Sequence, residues 1–217
     1  MEDAVTTPDG LASWFGTEAE IDLEPEGRRL IAWGEGVEMH ASITHIEPET
    51  MLRVSYRHDG VETGAEEWLI SRGNSVTRLT LINSMAGDGS DDWEGFYGDI
   101  RRGWRLFLAS LRHALESASS PHRVSRADYL PAAMDRQQVW DAVGSVLAGF
   151  NIVEGLEALI LDEPHSRLYG NSERTLLLDV EGHGDQRVLY AQAASHHGED
   201  AWLDETLGLL QSALSPS

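Results

Sequence analysis

The chain has 217 residues, 41% of them hydrophobic, and carries a formal charge of −21 from 37 acidic and 16 basic residues. That apolar fraction can build a core, which excludes a disordered polymer, and the length suits one large domain or two small ones. All 16 basic residues are Arg, and neither Lys nor Cys occurs, which excludes thiolate nucleophiles, disulfides, Cys-ligated zinc, Schiff-base chemistry and a Walker-type phosphate lysine.

So acidic a chain repels phosphate backbones and anionic lipid surfaces, so neither nucleic acid nor membrane is expected as a partner. The densest basic spot, Arg101 and Arg102 with Arg105, is too small to reverse this field. No apolar run nears the roughly 20 residues that span a bilayer. No basic stretch followed by an apolar one opens the sequence as a secretory leader would. A cytoplasmic location is the expectation.

Residues 8–15, Pro-Asp-Gly-Leu-Ala-Ser-Trp-Phe, predict a turn and a short helix. Extended stretches follow over about 17–23, 28–33, 37–46, 51–57, 65–71 and 76–84, with breaks marked by Gly27, Gly34, Pro48, Asp59-Gly60 and Gly73-Asn74. Leu52, Val54 and Tyr56 alternate with Arg53, Ser55 and Arg57, the period-2 pattern of a half-buried antiparallel strand. After an acidic loop at 87–94 the period changes to 3.6. Phe96, Ile100, Trp104, Phe107, Leu108, Leu111 and Leu115 form one broad apolar stripe, predicting an amphipathic helix of about six turns. The Ser-rich segment Ser117–Pro121 reads as a linker.

The remainder repeats the first part in shortened form. Val139-Trp140-Asp141-Ala142-Val143 echoes Met1-Glu2-Asp3-Ala4-Val5, and Glu163-Pro164 with Leu168 echoes Glu47-Pro48 with Leu52. Trp202, Leu210 and Ala213-Leu214 echo Trp104, Leu111 and Ala114-Leu115 in the same order. The stretch corresponding to about 17–40, two strands, is missing from the second copy. Residues 122–131 read as a first strand ahead of the second copy's helix, whereas Met1 already stands where that copy has Val139. This predicts that the true start lies upstream and that Met1 is an internal valine codon read as an initiator, which mass spectrometry of the native N-terminus checks. The first sheet then has an unpaired edge, and 122–131 either crosses over to fill it or leaves it open.

Four segments carry a family likeness: Leu11-Ala12-Ser13-Trp14-Phe15, the turn into a strand Glu47-Pro48-Glu49-Thr50-Met51-Leu52, Val76-Thr77-Arg78-Leu79-Thr80-Leu81, and Gly103-Trp104 leading the long helix. Together they resemble the activator of heat-shock-protein-90 ATPase homologue family of the START-like (SRPBCC) superfamily, over about residues 1–116. The resemblance implies an α+β helix-grip fold, a curved antiparallel sheet packed on a long C-terminal helix with a cavity between them. It also implies apolar small molecules, or the chaperone's ATPase, as partners. The chaperone role belongs to a eukaryotic branch with an additional N-terminal domain that nothing here matches, so that activity is not carried over. The family offers no catalytic residues to transfer. The expected organisation is a START-like domain lacking its first strand over 1–118, a linker over 119–123, and a degenerate second copy over 124–217.

The candidates for lining the cavity are the rings Trp14, Phe15, Trp33, Tyr56 and Trp68 with Met39, and Phe96, Trp104 and Leu108 from the long helix. Aromatic-lined concave sites with a few polar groups suit apolar ligands; the alternative is that the same residues simply pack the core. His40 and His45, five apart on a strand, point to opposite faces and cannot share a metal unless a bulge intervenes. His196-His197 with Glu199 and Asp200 are adjacent in a loop at a helix start, where side chains seldom converge on one ion. The loop Asp88-Gly89-Ser90-Asp91-Asp92-Trp93-Glu94 loosely resembles a calcium loop, but Trp93 stands where that loop needs Gly. No nucleophile elbow and no dinucleotide-type glycine turn occurs. No metal, cofactor or catalytic residue is therefore expected.

The leading expectation is a non-catalytic module whose cavity accepts an apolar or amphipathic small molecule. The alternatives are a protein-interaction module of co-chaperone type with a filled core, and a cyclase- or dehydratase-type enzyme on the same fold. Any binding function is expected within residues 10–116. The second copy, with two strands fewer to enclose a ligand, is expected to act as support, its apolar face covered by the first.

Overall fold

The computed structural model describes residues 1–34, 36–86, 93–116, 124–162, 165–183, 186–195 and 200–215. Two short helices, α1 (Asp3–Thr6) and α2 (Pro8–Ala12), lead into β1 (Glu18–Ile21), β2 (Arg28–Ala32), β3 (Glu38–Glu47), β4 (Met51–His58), β5 (Val61–Arg72) and β6 (Thr77–Met85). These six strands form one antiparallel sheet in chain order. Every strand expected from sequence is present, but β5 starts four residues earlier than 65. Asp59 and Gly60 both take positive φ, 50° and 79°, which makes a two-residue hairpin whose twist matches its strands, and pairing resumes at once with His58 opposite Val61.

Helix α3 (Trp93–Glu116) follows the sheet. Trp104 and Phe107 of the predicted stripe pack on the ring of Phe15, and Ile100, Trp104 and Leu108 stand opposite β6, whereas Leu115 at the end of the stripe is 41% exposed. The opposite side of the helix is covered too. Arg102, Leu106 and His113 lie about half a turn away from Trp104 at 100° per residue, and Leu106 is only 2% exposed. His113 Nε2 donates to the carbonyl of Asn171 at 2.9 Å, in the second copy. The single-stripe reading is thus incomplete: α3 lies between two sheets.

The second sheet contains β7 (Val124–Ala132), β8 (Glu157–Asp162), β9 (Ser166–Gly170), β10 (Arg174–His183) and β11 (Gln186–Ser195), ordered β7-β11-β10-β9-β8. Helix α4 (Arg136–Gly149) follows β7 and α5 (Asp200–Leu214) ends the chain. Asp135 accepts from the Gln138 backbone N–H while the Gln138 side chain accepts from that of Asp135, a capping box that starts α4. Among the described residues, four strands follow α4 where six follow α2, the two-strand shortening expected. The described part of the segment 122–131, from Val124 on, does not cross over: β7 pairs with β11 along its whole length. Among the described residues, no strand pairs with the outer edge of β6. The expected linker, Glu163-Pro164, the acidic segment 87–92 and the His196-His197-Glu199 group lie outside the described residues.

The second sheet is buried on both faces, Thr175–Val180 of β10 and Leu189–Ser195 of β11 without interruption. Leu176, Leu178 and Val180 pack with Val139, Val143 and Leu147 of α4 and Leu203 and Leu210 of α5. The alternate row, Leu168, Leu177 and Tyr190, joins the first sheet's core instead. The layers run first sheet, α3, second sheet, then α4 with α5. At one end Gly34 fits against β7 at φ 93°, where a side chain would meet the Ala127 carbonyl oxygen at 2.5 Å.

Asp179 and Glu181 sit two apart on β10, on the row that faces α3. Asp179 accepts from Ser166 Oγ at 2.9 Å and is 3% exposed. Burial, and then the neighbouring Asp179 carboxylate, push the Glu181 carboxyl up from its ordinary 4.5 to about 7, with Arg102 of α3 working against them. Burial together with these two acids also raises the Tyr129 phenol. Arg102 is held in turn by Asp99 one helical turn before it.

An acid whose folded pKa is raised stabilises the fold fully below its unfolded pKa and loses that contribution as pH rises through the folded one. For Glu181 the window runs from 4.5 to about 7. Glu181→Gln, which mimics the protonated form, should match the parent near pH 4.5 in urea unfolding. It should exceed the parent at pH 8 by on the order of 1–3 kcal/mol. Parallel pH curves for the two proteins would refute the assignment.

Candidate functional site

Beneath α3 the first sheet carries a ring cluster. Helix α2 ends at Ala12, and the turn that follows drops Trp14 and Phe15 into the core, at 0% and 2% exposure. The Trp14 indole N–H donates to the Ala4 carbonyl at 2.8 Å, and that of Trp33 donates to the Phe15 carbonyl at 2.6 Å. Phe15 lies 5.0 Å from each of Trp14, Trp33, Trp104 and Phe107 between ring centroids, and Trp68 lies 5.5 Å from Trp104. Such pairs add about 0.5–1.5 kcal/mol each beyond the area they bury. This part of the space between sheet and helix is filled.

Next to the rings lies a buried ionic network. Arg29 of β2 and Glu66 of β5 are 0% and 1% exposed. Arg29 Nη2 donates to Glu66 Oε2 at 2.7 Å and to the Tyr56 hydroxyl at 2.8 Å. Tyr56 donates to the other Glu66 oxygen through a short hydrogen bond, and the Trp68 indole N–H donates to Oε2 at 3.1 Å. Burial works to lower the Arg29 pKa, but Glu66 and Tyr56 outweigh it and raise it. The Tyr56 phenol is pushed well above its ordinary value by burial and then by Glu66, with Arg29 opposing. Both groups are held in their ordinary charge states, Arg29 cationic and Tyr56 neutral.

Open space lies farther along the sheet, between β6 and α3. There a cavity of about 420 Å³ opens at the sheet edge. Strand β6 contributes Leu81, Ile82 and Asn83 to it. From α3 come Ile100, Trp104 and Leu108 as the apolar wall, with Tyr97, Arg101 and Arg105 at the rim. Asn83 pairs in register with Glu66, so the cavity backs onto the ionic network. Its Oδ1 is buried with no hydrogen-bond partner among the described residues.

The nine candidate residues divide accordingly. Trp104 and Leu108 line the cavity. Trp14, Phe15, Trp33 and Trp68 are buried in the ring cluster, and Tyr56 belongs to the ionic network. Met39 is half-buried on β3 opposite Ile31. Phe96 falls within α3, but its side chain lies outside the described residues. Reasoning from large apolar residues overlooked Leu81 and Asn83, although the alternation Leu79, Leu81, Asn83, Met85 marks one inward row of β6. It also set Arg101 and Arg105 aside as a charge patch.

The two strand histidines are arranged differently from expectation. A bulge between Ile43 and His45 shifts the register, so His40 and His45 are both exposed rather than on opposite faces. Each sits beside a glutamate two residues along, Glu38 and Glu47, at 3.2 and 3.3 Å. Among the described residues, no group of three His, Asp or Glu side chains is placed to hold a metal ion. None of the described helices is long and apolar enough to cross a membrane.

Residues 3–116 match the family described as Activator of Hsp90 ATPase homolog 1-like protein. The chain belongs to this family. The match ends at the last residue of α3, so the family segment comprises the first sheet, its two short helices and the long helix. No curated protein matches the sequence. Among solved structures, protein MLL2253 from Mesorhizobium loti is similar at 18% identity and a TM-score of 0.45, over 54% of this chain and 86% of that one. The di-domain ARO/CYC BexL from the BE-7585A biosynthetic pathway is similar at 12% identity and a TM-score of 0.44, over 100% and 94%. DynU16, from the dynemicin biosynthetic locus, is similar at 16% identity and 0.44, over 98% and 89%.

Removing one partner of a buried ion pair leaves the other charge unpaired, which costs about 3–5 kcal/mol, whereas replacing both with apolar groups is often neutral. Arg29→Met should therefore lower the urea-unfolding free energy by about that amount. Arg29→Met combined with Glu66→Leu should recover much of it. A double variant no better than the single one would show that the network's value lies elsewhere.

Proposed function

We propose that the chain is a binding module whose cavity between β6 and α3 holds an apolar or amphipathic small molecule. The cavity itself carries this reading. Its volume of about 420 Å³ lies in the usual range for small-molecule sites, roughly 300–1,000 Å³. Leu81, Ile100, Trp104 and Leu108 give it an apolar lining, and the buried Oδ1 of Asn83 offers one polar contact at the back. Membership of a family whose fold places a cavity between sheet and helix supports the same reading. The second copy serves as support: it covers the far side of α3 and so holds one wall of the cavity in place.

One observation favours a second reading, a protein-interaction module. The interior around Trp14, Phe15 and Trp68 is filled ring against ring, which leaves that part of the grip no room for a ligand. The two readings separate on titration with N-phenyl-1-naphthylamine, a neutral apolar dye whose fluorescence rises on leaving water. The first predicts saturable binding at micromolar concentration. It also predicts at least tenfold weakening by Leu108→Glu, which sets a charge against the apolar wall, in protein whose circular dichroism is unchanged. No saturable binding by the parent protein would overturn it in favour of the second.

A further inference from the structure

We infer that β6 pairs, edge to edge and antiparallel, with β6 of a second copy of this chain, so that two first sheets join and each copy closes the open side of the other's cavity. The first support is the direction of the backbone groups. The register between β5 and β6 runs unbroken from Gly64 opposite Met85 to Arg72 opposite Thr77. At its two ends the Ala86 N–H donates to the Thr63 carbonyl and the Gly73 N–H to the Val76 carbonyl, each at 2.8 Å. Hydrogen-bonded pairs alternate along an antiparallel ladder, so the even-numbered residues of β6 bond to β5. Leu79, Leu81, Asn83 and Met85 therefore turn their N–H and C=O groups outward, where among the described residues no strand meets them. Such a row of groups is a template for one more extended strand.

The second support is that β6 suits itself as the partner. Edge strands are normally guarded by shortness, charge or bulges, and two other edges here are. Strand β1 is four residues long and carries Glu18 and Glu20. Strand β8 is bulged between Ala158 and Ile160, with Glu157 and Asp162 at its ends. By contrast, β6 is nine residues long, has neither Pro nor a carboxylate, and leaves Ile82 46% exposed. Two copies of charge −21 repel each other over most of their surfaces, so a strand without carboxylates is the place for them to meet. With the two-fold axis at Leu81, the middle residue of the strand, Leu81 falls opposite its own counterpart, Leu79 opposite Asn83 and Thr80 opposite Ile82. Arg78 falls opposite Ser84, so no like charges face each other. Directly paired residues point to one face of a sheet. The inward rows of both copies thus lie on the side where Leu81 and Asn83 line the cavity.

Sedimentation velocity of the full chain tests this, from about 1 to about 200 μM in salt of about 150 mM, which screens distant charges. The parent should pass from monomer to dimer across that range. Thr80→Lys with Ile82→Lys sets like charges directly opposite on the face away from the cavity and should weaken the dimer at least tenfold. Thr80→Glu with Ile82→Glu should do the same. Mixing the two variants should restore a dimer containing one copy of each, at concentrations where neither pairs with itself. Leu81→Pro removes an outward N–H and no bond to β5, so it should be monomeric with the circular dichroism of the parent. A parent that stays monomeric throughout overturns the inference and leaves the edge to a strand of a different protein. A dimer that persists in both charged variants, or a mixture that does not pair, overturns the assignment of the contact to β6.

Discussion

Helix α3 is buried on two opposite sides, and much of the architecture follows from that constraint. A helix with a single apolar stripe can rest on one sheet with its other face in water. Here Trp104 and Phe107 pack into the ring cluster of the first sheet while Leu106 and Ser110 are closed off on other sides of the same helix. The second sheet supplies the missing cover. It contributes Leu168, Leu177 and Tyr190 to the same core as the first sheet's rings. Having given one face to α3, it must bury its other face too, and α4 and α5 do so. Its two central strands, β10 and β11, are therefore buried without interruption over Thr175–Val180 and Leu189–Ser195, as strands covered on both sides are.

The position of the cavity follows from the same arrangement. The rings of Trp14, Phe15, Trp33 and Trp68 fill the space that faces β1 to β5, and Arg29, Glu66 and Tyr56 satisfy one another beside them. The cavity of about 420 Å³ opens toward β6, the last strand, whose outer edge pairs with nothing among the described residues. In the second sheet the corresponding place beside the last strand is occupied by β7. The row Leu79, Leu81, Asn83 and Met85 is consequently half-exposed, although its residue types suit an interior face. An apolar row at an open edge, opposite a helix rim bearing two arginines, is the chemical character of this site.

The six strands of the first sheet and the long helix were legible in the sequence because local periodicity records which side of an element avoids water. The shortened repeat was legible from residue echoes in the same order, Val139–Val143, Leu168 after Glu163-Pro164, and Trp202 with Leu210 and Leu214. The start of β5 was not, because Val61–Gly64 lacks alternation and only the hairpin at Asp59-Gly60 sets it. Nor was the exposure of both His40 and His45, since the bulge after Ile43 arises from pairing with β4. At the site, Trp104 and Leu108 were legible from helical spacing, whereas Leu81 and Asn83 were not, because an ordinary strand row does not announce which of its members borders a gap.

Taken alone, the sequence determined the class of the fold, the family of its first half and the absence of thiol and lysine chemistry, since residue type and local period carry that information directly. Only the tertiary structure decided that β7, Val124–Ala132, belongs to the second sheet and that α3 is covered twice. It also decided that the aromatic candidates form a filled core while the open volume lies beside β6. The physical reason is common to all three. A period shows that a face is apolar, but which body covers that face, or whether it borders a cavity, depends on contacts between residues far apart in the chain.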